Sequence, residues 1–360
     1  MSITPKRIES IDLLRGIVII IMAIDHVRGY FHAGAHTSDP TDLSTTYPAL
    51  FFTRWITHFC APVFVFLAGT SASLIGQRKS KAELSRFLLT RGLWLVFVEL
   101  VIVNFAWFFD PHFSFNPLQV IWALGISMIA LAALIHLPGK LILVFGLAIL
   151  FGHNLLDNVH VEGNTVKAFV WAMLHDPVRF EFLGRIFRTN YPVLPWIGIM
   201  ALGYSLGSLY AKEVLPEKRK KILLSIGGAA IVLFILIRAT NLYGDQLKWS
   251  VQNGPVFTLM SFINTTKYPP SLLYSLMTLG PSLILLALLE RPAGKWAHPI
   301  LHFGRVPMFF YLLHLYLIHI LATIALVWSG IDWHETILTK GLRNFNPVGY
   351  GFSLPVVFLV

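Results

Sequence analysis

Ionisable side chains set against long apolar runs are the feature of this sequence best suited to chemistry. Asp12 and Arg15 precede the run Ile17–Ile24, and Asp25, His26 and Arg28 follow it. On a helix rising ~1.5 Å per residue, Asp12 and Asp25 stand roughly 20 Å apart, less than the ~30 Å hydrocarbon core of a bilayer. If this segment spans, at least one cluster lies inside the hydrocarbon layer or at its edge. An ionisable residue there costs about 2.5–3.5 kcal/mol on insertion scales, so such residues face a bundle interior or a wet cavity. In the next apolar stretch Arg54 and His58, at i and i+4, share one helix face. The two clusters read as facing walls of one site.

His26 beside Asp25 has the makings of a general base. Neighbouring residues on a helix point about 100° apart, so His26 is expected to pair with a residue of another helix rather than with Asp25. The alternative is an interfacial histidine with an Asp25–Arg28 pair that merely ends the helix. Arg54 with His58 resembles an anion clamp plus a second imidazole, or else Arg54 reaches to the surface by snorkelling. His314 and His319 lie roughly 13 and 21 Å along a helix from Arg305, which brings them towards the same level. His314 could be a ligand, a catalytic group or a packed core histidine. Asp12 and Arg15, at i and i+3, read first as an inner-side ion pair and second as a direct participant.

The elements that position these groups follow from composition. The 360 residues are 56% apolar and 13% charged, against about 25% charged in soluble domains. Apolar spans fall at about 10–32, 50–76, 87–109, 117–137, 139–156, 192–211, 221–242, 270–290 and 304–328. A fragment at 351–360 is too short to cross a bilayer, so either the sequence is expected to stop before the natural C-terminus, the favoured alternative, or the last helix is incomplete. The fold class is thus all-α, a polytopic transmembrane bundle of about 10 helices in a single transmembrane domain over 1–360. Val166–Leu174 is apolar but too short to span, and suits an interfacial helix or a cap.

Lys6, Arg7, the cluster from Arg78 to Arg91, the run Lys212–Lys221, and Arg291, Lys295 and Arg305 fall in loops that alternating spans put on one side. That pattern predicts a cytoplasmic N-terminus. The net charge of +10 therefore reflects topology rather than nucleic-acid binding, for which no motif is present. Either topology is the whole role of these basic loops, or some of them also bind the phosphates of a cytosolic cofactor. A single cysteine, Cys60, rules out an internal disulfide or a cysteine metal cluster and suits a packing role. His298 and His302 flank Pro299, and no HExxH, CxxC or GxxxxGK[ST] pattern occurs, so no metal site and no P-loop are expected.

Four stretches carry a family likeness: Arg7–Gly16 with Ile21–His26, Phe59–Ser71, Asn190–Gly198, and Phe303–His314. Together they resemble the heparan-α-glucosaminide N-acetyltransferase-like membrane proteins, which include many bacterial members of unknown function. The resemblance implies a bacterial inner-membrane, multi-pass acyltransferase. Such an enzyme takes an acyl group from cytosolic acetyl-coenzyme A and passes it to a sugar hydroxyl or amine outside. The Asn that the lysosomal relative carries at the outer end of its first helix aligns with His26, while its loop histidine has no counterpart. An acetyl-histidine intermediate is therefore not carried over.

On this reading His26 or His58 deprotonates the acceptor, and Arg54 or Arg28 stabilises the thioester oxyanion. Arg78, Lys79 and Arg305 are candidates to hold the coenzyme A phosphates, with Asp12 and Arg15 along the pantetheine route. The expected partners are the lipid bilayer and a glycan or small-molecule acceptor. Two other classes stay open. A proton-coupled solute transporter would use the same intramembrane Asp, His and Arg as a relay, but would be expected to show an internal repeat. A non-catalytic membrane scaffold would use them only to fix helix packing.

Overall fold

The computed structural model describes residues 7–35, 37–182, 184–290, 294–331 and 350–360. Lys6, Arg291 and most of the 329–350 loop lie outside the described residues.

The first helix, α1 (Glu9–Phe31), carries both charged clusters of the sequence. The second apolar stretch forms α2 (Pro48–Thr57) and α3 (Cys60–Gly76), joined by a short turn at His58 and Phe59. Ser80 opens α4 (Lys81–Phe97) with a capping box, its hydroxyl accepting from the Glu83 N–H while the Glu83 carboxylate reaches back. A π-helical turn at Val98–Val103 leads into α5 (Asn104–Phe108). Within that turn the buried Glu99 accepts the Trp122 N–H at 3.0 Å. Its carboxylate thereby caps α6 (Val120–Leu134), whose first amides have no partner inside the helix.

The chain continues as α7 (Gly139–Gly152), a 3-10 turn His153–Leu156, and α8 (Val166–Leu174). After two short strands come α9 (Val193–Leu206), α10 (Pro216–Thr240), α11 (Pro255–Ile263) and α12 (Leu272–Leu288). The last elements are α13 (His298–Arg305), α14 (Pro307–Trp328) and the short α15 (Leu354–Val357). Proline stands in the first turn of α10, α11, α13 and α14, where its missing N–H costs nothing.

Among the described residues six helical stretches are long and apolar enough to cross a membrane: 48–76, 81–108, 139–156, 193–210, 216–240 and 307–328. Each coincides with an expected span. The apolar helices α6 and α12 are shorter, and α1 has the length but interrupts its apolar run with Asp12, Arg15, Asp25 and Arg28. The all-helical expectation needs one addition. Strands β1 (Phe115–Leu118), β2 (Arg179–Phe182) and β3 (Arg185–Thr189) make a small sheet in the order β1-β3-β2, with β1 parallel and β2 antiparallel to β3. Phe180 and Phe187 stack across β2 and β3, and Asn104 ties β1 to α5 through the Asn116 side chain at 2.8 Å. Strands this short give little periodic signal to read.

Helix α3 forms the axis of the core and packs on α9. The contact is close because Gly69 and Gly203 face it. A Cβ on Gly69 would collide with the Met200 carbonyl, and one on Gly203 with the Phe66 carbonyl. Contacts among distant residues define one end of the bundle. Glu290 accepts from Ser10 at 3.0 Å and from Arg219 Nε at 2.9 Å, and Arg219 lies over the Tyr210 ring. Asp12 meets Arg15 at 3.3 Å and Arg7 and Arg305 at 3.9 Å. We call this the basic end.

Candidate functional site

Helix α1 sends its two chemical groups in different directions. His26 faces α14 and α5. Its Nδ1 lies 2.6 Å from His314 Nε2, the rings are nearly parallel, and Trp107 and Tyr311 pack edge-on against His26. The expectation that His26 pairs with another helix rather than with Asp25 matches this geometry. Proton positions follow from the partners. His314 Nδ1 lies 2.8 Å from the Phe310 carbonyl, which can only accept, so Nδ1 carries a proton. In the neutral ring Nε2 then accepts, His26 donates from Nδ1, and the basic nitrogen of His26 is Nε2.

Asp25 points to the other side. Arg54 Nη1 meets its Oδ2 at 2.5 Å and Arg28 meets its Oδ1. Arg28 also donates to Thr53 at 3.4 Å. Arg54 therefore turns inward to a carboxylate rather than outward to a membrane surface. His58 is buried in the same group; its carbonyl accepts from Tyr274 at 2.7 Å, and its Nδ1 has no hydrogen-bond partner among the described residues. One carboxylate against two guanidinium groups leaves net positive charge, and Lys267 adds to it from electrostatic range of Asp25 and His58.

Lys267 and Tyr268 belong to the connection between α11 and α12, which is firmly held. Buried Asp245 accepts from the Thr266 N–H at 2.9 Å, the Thr266 hydroxyl at 2.6 Å and the Ser271 hydroxyl at 2.7 Å. Arg238, almost wholly buried, donates to the carbonyls of Phe262 at 2.8 Å, Ser261 at 3.0 Å and Asn264 at 2.7 Å, satisfying the open end of α11. Burial resists ionisation of the Tyr268 phenol, but Lys267 and Arg54 outweigh it and hold the group down at about 8. Its buried neighbour Tyr191 keeps its proton, pushed up by burial and by the charge of Tyr268, and packs edge-on against Tyr268 at 5.1 Å.

A cavity of about 470 Å³ runs from the basic end towards the histidine pair, reaching Met22 and Tyr311. It runs between α1, α3, α4, α6 and α14 and has Arg7, Arg15 and Arg91 among its lining residues. Its walls are mainly apolar, and it is lined also by Met22, one helical turn before His26, and by Tyr311, which touches both histidine rings. Arg15 is fixed in the wall by Asp12, by the Leu67 carbonyl at 3.2 Å and by the Ser71 hydroxyl.

The structure thus brings Asp25, Arg28, Arg54 and His58 together, pairs His26 with His314, and places Asp12 and Arg15 beside the cavity's basic end. Arg305 sits at that end too, where with Arg7 it lines an open recess. Arg78 and Lys79 are exposed in the turn between α3 and α4 and are not part of the cavity wall. His319 turns to the Ala106 carbonyl at 2.7 Å and stacks on Phe109, apart from the His26 pair. Cys60 is buried and donates to the Val18 carbonyl at 3.1 Å, as a packing residue should. Sequence reasoning missed Lys267, Tyr268, Tyr191 and Tyr274. A signal existed for Lys267, which is one of only two lysines in the 243–269 loop.

No curated protein matches the chain. The sequence model of heparan-alpha-glucosaminide N-acetyltransferase, catalytic, matches residues 7–242, from α1 to the end of α10. The match covers His26, the Asp25 cluster and most of the cavity wall. With well over half of its length matched, this apolar, multi-helix chain belongs to the heparan-alpha-glucosaminide N-acetyltransferase catalytic family.

Proposed function

We propose that the protein is a membrane acyltransferase. It takes an acyl group, acetyl in the first instance, from acyl-coenzyme A at the basic end and passes it to a sugar hydroxyl or amine at the other. The basic end then faces the cytosol and the membrane is the bacterial inner membrane. The observation that carries the reading is the cavity, basic at one end and lined elsewhere by Tyr311, behind whose ring the His26–His314 pair is packed.

Arg7, Arg15 and Arg91 suit the phosphates of the donor, with Arg305 beside them. The apolar walls suit an extended acyl-bearing arm, exclude water and lower the local dielectric. His26 Nε2 takes the proton of the acceptor nucleophile as it attacks the thioester carbonyl. His314 Nε2 accepts from the other ring nitrogen and spreads the charge of the resulting imidazolium. Arg54, Arg28 and Lys267, only one of whose charges is balanced by Asp25, lie on the other side of α1 from His26 and act on the developing oxyanion through their field rather than by contact. Collapse of that intermediate expels coenzyme A thiolate and leaves the acyl group on the acceptor.

Binding of acetyl-coenzyme A to the full chain in nanodiscs tests the donor, with coenzyme A, desulfo-coenzyme A and ATP as comparators. Saturable binding should fall about tenfold, or ~1.4 kcal/mol, when Arg15 or Arg91 becomes Gln. A folded protein that binds none of the coenzyme A species, yet carries solute flux, would overturn the reading in favour of a transporter.

A further inference from the structure

Away from the cavity, the 3-10 turn that ends α7 and the residue that ends α8 bring three side chains to one point. His153 and Asp157 stand at i and i+4 on the turn, and His175 follows α8. One ligand-type atom from each lies within 4.8 Å of the other two. His175 Nε2 is 3.4 Å from His153 Nδ1 and 3.7 Å from Asp157 Oδ1. These separations exceed the ~2.7–3.2 Å of a good hydrogen bond. They are close to the edge of a tetrahedron around a cation with bonds of about 2.0–2.2 Å, which places ligand atoms roughly 3.3–3.6 Å apart.

Burial makes the arrangement costly without a cation. His153 and His175 are 2% and 3% exposed. Asp157 Oδ1 is buried with no hydrogen-bond partner among the described residues, and no Lys or Arg among them pairs with the carboxylate. A buried carboxylate oxygen left without a hydrogen-bond partner pays the full cost of its lost hydration. Its other oxygen accepts from Asn154 at 2.8 Å, which orients the group as an outer-sphere partner orients a metal ligand.

We propose that His153, Asp157 and His175 form a binding site for a divalent transition-metal ion of the zinc type, with an open fourth position. Two imidazoles and one carboxylate are a ligand set of zinc sites and suit borderline cations better than calcium or magnesium, which take oxygen. The ion clamps the end of α7 to the end of α8. Through Asn154, whose Oδ1 accepts the Leu272 N–H at 2.9 Å, the clamp also bears on the start of α12, next to the Lys267 connection.

The test uses the untagged full chain in detergent, stripped with a chelator, loaded with Zn²⁺ and desalted. The expected result is one zinc per chain by elemental analysis, and a visible tetrahedral spectrum when Co²⁺ replaces it. Both should be lost in His175→Ala and Asp157→Asn and retained in His160→Ala, whose histidine pairs nearby with Asp176 at 2.9 Å. Zinc should raise the unfolding temperature of the wild type and not that of Asp157→Asn, a near-isosteric change that limits folding damage. Stoichiometry no higher in the wild type than in folded Asp157→Asn, or equal loss in His160→Ala, overturns the proposal.

Discussion

His26 Nδ1 and His314 Nε2 meet at 2.6 Å across two helices 288 positions apart in sequence, and His314 Nδ1 is committed to the Phe310 carbonyl. That second bond decides the direction of the first, and so makes Nε2 the basic atom of His26. If that atom is the base, His26→Ala should reduce transfer by about 10²–10⁴, the usual weight of a general base. His314→Ala should cost less, and should shift the acidic limb of the pH–rate profile because the imidazolium loses its partner. Full activity in both variants would remove the pair from the mechanism.

The Asp25 cluster is expected to respond unequally to its members. Asp25→Asn strands Arg28 and Arg54 together, whereas Arg54→Ala leaves Asp25 still paired with Arg28. Breaking a buried pair costs up to about 3–5 kcal/mol. Thermal unfolding in detergent should therefore rank Asp25→Asn below Arg54→Ala. The reverse order would mean that the two arginines are paired elsewhere.

Packing between α3 and α9 makes a prediction independent of chemistry. Gly203→Ala should destabilise by at least about 1–3 kcal/mol, because the new methyl meets the Phe66 backbone. Gly228, inside α10, has nothing within 4 Å of an added Cβ. Gly228→Ala should therefore stabilise by about 0.5–1 kcal/mol through helix propensity. Equal unfolding temperatures for the two variants would contradict the close contact.

Tyr268 offers a pH signature. Its phenol releases its proton at about 8 in the folded chain, against ~10 for an ordinary tyrosine. Between those values the unfolded state holds more protons, so stability rises with pH across the window and is lost as pH falls through 8. Phenolate absorbance should show one group titrating early among the 11 tyrosines, and Tyr268→Phe should abolish it. Superimposable titrations would mean that Lys267 and Arg54 do not reach the ring.

Much of this arrangement was legible beforehand. Long apolar runs located the spans, because a helix in lipid must satisfy its backbone internally and show hydrocarbon outward. Charges interrupting α1 and α2 marked Asp25, His26, Arg54 and His58, because such groups are tolerated only where partners exist. What escaped was long-range and irregular. Lys267 and Tyr268 reach Arg54 only because Asp245 and Arg238 fix a loop more than 200 positions away, and no local pattern encodes that. His153 and Asp157 share a helical spacing, but His175 joins them only through the fold of α8. The basic stretch at Arg78 and Lys79 was a natural phosphate candidate by composition, whereas the cavity is lined by Arg15 and Arg91, whose directions depend on helix rotation.

The cavity is the centre of the account, and cysteine protection tests it without knowledge of the acceptor. Ala68, in the cavity wall, is replaced by Cys in a Cys60→Ala background, and alkylation by a maleimide is followed in nanodiscs. A second variant, Leu242→Cys, reports a fully exposed position, since Leu242 is 83% exposed. Saturating acetyl-coenzyme A should slow alkylation at 68 by tenfold or more, on the order of 1.4 kcal/mol of occupancy, and leave 242 untouched. Unchanged alkylation at 68 in a folded protein would contradict the claim that the donor occupies this cavity.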